Sequence, residues 1–238
     1  MANPFNAIGN HWLRHNNPRT LCPPGMPQAG KGPKRPLIMV PTLMRSGTHI
    51  LIDLILNNFP AYQGKPLYVD LDLVLRHPQR EEMLAKMREV GGFVVKTHCP
   101  QLIVKEGDVE VIQEIAAESI IISTKRDTDV VLESMVRFPE LSRRFGDEAT
   151  IVAGIERFYE FWQSREPTVF PFEQLLKNSE VPNIVAEIAS VIDCPLPSKV
   201  VTPPEKAAYL RVCAVKAMTR VLGHRSPVIN TTIQFARK

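Results

Sequence analysis

The chain is poor in cysteine: four in 238 residues, at Cys22, Cys99, Cys194 and Cys213, with no CxxC pair among them. Zinc-type ligand spacing is therefore absent. Scattered cysteines in a chain of this size are expected to be reduced, as in the cytosol. Aromatics are sparse at 7%, and no dense Lys/Arg run is interleaved with them, which argues against a nucleic-acid surface. No apolar run approaches the ~18 residues of a membrane span. The opening MANPFNAIGNHWLRHNNP lacks the apolar core of a signal peptide. These absences together predict a soluble cytoplasmic protein. The Walker A pattern GxxxxGK(S/T) is also missing, and with it the lysine of ATP-type phosphate loops.

What is present is an ordinary globular composition, 44% hydrophobic and 23% charged, enough to bury a core of domain size. Net charge is +4, a mild basic excess that suits an anionic ligand. Residues 1–36 read as an N-terminal arm. Its stretch Asn16 to Pro36 holds six prolines and three glycines, and proline removes the donors that regular structure needs. From Leu37 onward, residues 37–238 read as one domain in which strand and helix alternate. LIMVPTL (37–43), GFVVKTH (92–98), SIIISTK (119–125) and TVFPF (168–172) have the buried-strand pattern. Helical periodicity is predicted over 48–59, 79–89, 108–117, 128–138, 148–165, 183–192 and 205–222, the last capped at Gly223. Alternation of this kind predicts an α/β fold, a parallel sheet with helices on both faces. Ligands then sit beyond the carboxyl ends of the strands. The four loops there read MRSGTH, KTHCP, KRDTD and PFEQ.

The first of these loops has the parts of an anion cradle. A helix N-terminus leaves its first N–H groups unpaired and carries partial positive charge. Gly47 allows close approach of the backbone, Ser46 and Thr48 add hydroxyls, and Arg45 adds a fixed cation. An ordinary strand-to-helix turn capped by Ser or Thr uses the same residues, so the loop alone names no ligand.

The four loops taken in order carry a resemblance. PTLMRSGTHIL resembles the 5′-phosphosulfate loop of the cytosolic-type sulfotransferases, which usually reads PKSGTTWL. GFVVKTHCP resembles that family's strand ending in KTH before a proline. SIIISTKRDTDVVLESMVRF is similar to its third signature, where a strand delivers an Arg and the next helix a Ser eight residues on. VFPFEQLLKN is similar to its YEDL segment. The resemblance runs from Pro36 to about Asn178.

It implies a P-loop NTPase-like sulfotransferase fold and a metal-free, in-line transfer of a sulfuryl group. The donor would be 3′-phosphoadenylyl sulfate (PAPS) and the acceptor a hydroxyl, or an amine, of a small molecule, as in bacterial-type small-molecule enzymes. Arg45, Ser46, Gly47, Thr48 and His49 would hold the 5′-phosphosulfate. Arg45 stands where most members have Lys, and its part would be electrostatic. His98 would be the general base, with Lys96 on the same strand face stabilising sulfuryl oxygens. Arg126 and Ser134 would bind the 3′-phosphate, and Phe172 the adenine. The chain departs from the family in having Val130 where an Asp is usual and in lacking the closing RKG and GDW elements. Arg225 is the substitute candidate for a 3′-phosphate cation. The acceptor pocket is expected between residues 62–68 and 138–145, the latter carrying Arg143 and Arg144. Two other readings stay open. A P-loop-type kinase or nucleotide hydrolase would need Mg²⁺ ligands and a Walker lysine. A non-catalytic nucleotide-binding protein on the same fold would need neither.

Overall fold

The computed structural model describes residues 21–22, 24–25, 27–101, 105, 107–137 and 147–202. The expected helix 205–222, Gly223, Arg225, Cys213 and the acceptor-side residues Arg143 and Arg144 lie outside them. So does most of the N-terminal arm.

Strand β1 (Leu37–Pro41) is buried along its whole length, as its unbroken apolar run requires of a strand covered on both faces. It pairs in parallel with β3 (Val94–Thr97) on one side and β4 (Ser119–Lys125) on the other. Outside these lie β2 (Tyr68–Asp70) and β5 (Thr168–Pro171), also parallel, giving the order β2-β3-β1-β4-β5. The α/β expectation holds, and β1 is the central strand.

Side chains alternate across the sheet, and the two faces belong to two apolar clusters. Ile38, Val40 and Val94 pack against Leu51, Ile52 and Ile55 of α1 (Thr48–Asn58). Leu37, Met39 and Val95 pack on the opposite face. That face is covered by α2 (Leu71–Val74), α3 (Arg80–Val90), α4 (Asp108–Ala117), α5 (Thr128–Val136) and α6 (Glu148–Gln163). The short α7 (Phe172–Leu175) and the apolar face of α8 (Val181–Val191) join α1 on its side. Asn58 at the end of α1 clamps the chain beyond α8. Its amide donates to the Val201 carbonyl, and its oxygen accepts from the Val201 N–H.

Strand β2 and α2 escape the sequence reading, because three strand residues run directly into a four-residue helix. Phe172, placed by the sequence at the end of the fourth predicted strand, instead opens α7, since Pro171 closes β5. Helix α6 stops at Gln163 rather than Arg165. Glu166 takes φ 46° ahead of Pro167, which disfavours the helical conformation in the residue before it. Tyr62, expected on the acceptor pocket, is fully buried in the α1-side core. Within the arm, Gln28 pairs with Lys65 through two backbone hydrogen bonds, and Cys22 is buried.

Candidate active site

The loop between β1 and α1 is shaped by two residues with positive φ, Arg45 at 71° and Gly47 at 96°. A left-handed arginine costs roughly 1–2 kcal/mol relative to ordinary backbone, so the surroundings must hold it there. They do so from three sides. The Met44 N–H donates to Gln101 Oε1 at 2.7 Å, Arg126 donates from Nη1 to the Arg45 carbonyl at 2.9 Å, and Thr124 donates from Oγ1 to the Ser46 carbonyl at 2.7 Å. The Ser46 hydroxyl, expected from the sequence to face an anion, is fully buried and donates to the Leu43 carbonyl at 2.7 Å. Its proton is spent inside the turn. Thr48 Oγ1 meets Thr42 Oγ1 at 2.6 Å, bracing the first turn of α1 against the end of β1.

Gly47 is required for a second reason. A Cβ there would lie 2.3 Å from Cδ2 of Phe172, so the Phe172 ring lies directly against the loop. The other partner of that ring is Arg126, whose guanidinium carbon stands 4.5 Å from the ring centre, a cation–π distance. Arg45 donates from Nε to Ser134 Oγ at 3.0 Å. The sequence candidates on four separate segments, Arg45, Arg126, Ser134 and Phe172, are thus joined in one group. Arg126 Nε is buried with no hydrogen-bond partner among the described residues, which leaves a cationic donor unsatisfied inside that group.

At the end of β3, His98 is buried and its Nδ1 lies 2.6 Å from the Thr42 carbonyl. A carbonyl oxygen only accepts, so Nδ1 carries a proton in this bond. The adjacent Cys99 thiol is no competing nucleophile. Burial, then Asp72 and Asp108, push it up to about 12, and its carbonyl accepts from Trp162 Nε1. Lys96, two residues before His98, lies within β3. Its ammonium, however, is held in a buried pair with Asp70 at 2.6 Å. The second Asp70 oxygen is buried with no hydrogen-bond partner among the described residues.

His98 and the β1–α1 loop share one space. A cavity of about 330 Å³ is lined by Met44, Arg45, Gly47, Thr48, His49, Ile50, His98 and Phe172. His49 Nε2 lies 3.4 Å from the hydroxyl of Tyr68, which backs it from β2. Among the described residues no group of three His, Cys, Asp or Glu is arranged to hold a metal ion, and no helix is long and apolar enough to cross a membrane.

Sequence reasoning missed Asp72 and Thr42, which bond to His98, Gln101, which bonds to Met44, and Asp70, which pairs with Lys96. The acids had a signal: YVDLDLV sets two carboxylates at i and i+2 in an otherwise apolar run, and a buried carboxylate needs donors.

No family model matches the chain, and no curated protein matches it. Among solved structures, retinol dehydratase in complex with androsterone and the inactive cofactor PAP is similar at 17% identity, with a TM-score of 0.36. The match covers 86% of this chain and 64% of that one, so the chain spans less than two thirds of that protein's length. A TM-score of this size carries no weight for function.

Proposed function

We propose that the protein transfers a sulfuryl group from PAPS to a hydroxyl, or an amine, of a small molecule, with His98 as general base and no metal ion. The observation that carries this is the single cavity bounded on one side by the Arg45–His49 loop and on the other by His98. A nucleophile's proton acceptor and an anion cradle then face the same small volume.

When bound, PAPS supplies the sulfuryl group on a phosphate leaving group. The residues present suit it. The main-chain N–H groups that open α1 point their partial positive charge at an anion. Arg45 remains charged at any working pH and neutralises the oxygen on the leaving side. Ser46 shapes the turn rather than donating. Arg126, with its unsatisfied Nε, and Ser134 take the 3′-phosphate. Ser134 already accepts from Arg45, so its own O–H remains able to donate. Phe172 offers a face to the adenine beside the Arg126 stack. His98 accepts the acceptor's proton at Nε2 while Nδ1–H stays on the Thr42 carbonyl, which steadies the imidazolium that forms. Lys96 carries Asp70 as its counter-ion and so contributes a nearly neutral pair. The cation that stabilises the negative sulfuryl oxygens is therefore assigned to Arg45.

Arg126→Ala tests the donor's identity. A hydrogen bond from a charged group contributes about 1.5–3 kcal/mol, so calorimetry should show PAP weakened by roughly 10- to 100-fold. Adenosine 5′-phosphosulfate, which lacks the 3′-phosphate, should change less than about 3-fold. Equal losses for the two ligands refute the 3′-phosphate assignment.

A further inference from the structure

The base candidate is held by a carboxylate that touches neither the cavity nor its loop. Asp72, in α2, is 4% exposed. Its Oδ1 accepts from Thr97 Oγ1 at 2.7 Å and its Oδ2 from the His98 main-chain N–H at 2.9 Å. Thr97 Oγ1 in turn accepts from the Cys99 N–H at 3.0 Å. One buried side chain therefore fixes three consecutive residues at the point where β3 leaves the sheet. Buried carboxylates are retained only where donors compensate their desolvation, and here both oxygens are satisfied.

We infer that Asp72 is a positioning residue for His98. It locks the main chain at residues 97–99 so that Nδ1–H meets the Thr42 carbonyl and Nε2 stays the basic nitrogen of the neutral ring. The reasoning is geometric. The imidazole swings with its own backbone N–H, and Asp72 is the acceptor of that N–H. Without it the segment is still held at the Thr97 and Cys99 carbonyls but no longer at the His98 N–H, and the ring gains the freedom to sample both tautomers. Asparagine can replace Asp72 in this duty. Its oxygen accepts from the His98 N–H, and its NH₂ donates to the Thr97 hydroxyl, which has a lone pair to spare. Alanine can do neither.

The inference rests on the reading of His98 as base for its catalytic meaning, but its central test does not. Long-range ¹H–¹⁵N spectra report which ring nitrogen of each of the six histidines carries the proton, with His98 assigned from its loss in His98→Gln. In the intact protein, at a pH where the ring is neutral, His98 is expected wholly as the Nδ1–H form. Asp72→Ala should convert it to a mixture, and Asp72→Asn should restore the Nδ1–H form. In turnover with PAPS, Asp72→Ala should lower kcat about 100-fold, the scale of a misplacement near 1 Å, with PAP affinity changed less than 3-fold. Asp72→Asn should recover at least 10-fold of that loss. If the alanine variant fails to fold, Thr97→Val removes one of the two tethers in an isosteric side chain, and should lower the Nδ1–H population and reduce kcat by roughly 2- to 10-fold. Unchanged tautomer signals in Asp72→Ala or Thr97→Val, or a mixture in Asp72→Asn, overturn the inference. An intact protein that shows the tautomer response but never turns over PAPS overturns the function instead.

Discussion

Gly47 carries two constraints that no other residue meets together. Its φ of 96° is open to glycine and disfavoured for residues with a Cβ, and a Cβ at that point would enter the Phe172 ring. The ring cannot retreat freely, because Arg126 lies on it and is bonded to the Arg45 carbonyl. Gly47→Ala is therefore predicted to cost about 1–3 kcal/mol of stability and to weaken PAP by at least 10-fold, read by denaturant titration and calorimetry. Wild-type values in both contradict the packing. The residue scale also separates what the sequence disclosed from what it hid. Arg126 and Ser134 were legible as a pair eight positions apart, on a strand end and the helix after it. The use of the Ser46 hydroxyl inside its own turn was not legible, because a hydroxyl's direction depends on which carbonyl the fold brings near. Nor was the Lys96–Asp70 pair, since Asp70 comes from a strand too short to announce itself.

Helix α1 shows how an element serves both core and site. Its first turn faces the cavity through Thr48 and His49, while Leu51, Ile52 and Ile55 hold it on the sheet. Within it lies Asp53, buried, with neither oxygen bonded to any described residue. Burial holds this carboxyl well above the usual carboxylate range. The folded state then keeps a proton that the unfolded chain releases above about pH 4. Stability contributed by the group is thus present below that value and falls as pH rises, by about 1.4 kcal/mol per pH unit until the folded-state value is passed. Asp53→Asn removes the slope. Its melting temperature is predicted to exceed the wild-type value by a margin that widens from pH 5 to pH 8. A margin constant with pH contradicts a protonated Asp53. At this scale the sequence read well where elements are long. The bounds of α4 and β4 fell where the periodicity put them, because their turn residues and apolar runs agree. The reading failed at β2 and α2, where three or four residues give no period to detect.

For the whole molecule, the sheet order places β1 at the centre with β3 and β4 beside it, so the loops after all three open at one edge. This is why residues as distant in sequence as Thr42 and His98, or Arg45 and Ser134, come within hydrogen-bond reach. The alternation of strands and helices was enough to expect that convergence. It could not say which side chains would meet, because register between strands is set by packing across the sheet. We propose that this edge joins an anion cradle to a base for sulfuryl transfer. The most direct measurement is PAP release from PAPS across a panel of hydroxyl and amine acceptors, with and without EDTA, for the intact protein and for His98→Ala. The intact protein is predicted to release PAP at a rate EDTA leaves unchanged, with His98→Ala slower by about 10²- to 10⁴-fold while binding PAP within a few-fold. Release abolished by EDTA, release undiminished in His98→Ala, or no release with any acceptor would contradict it.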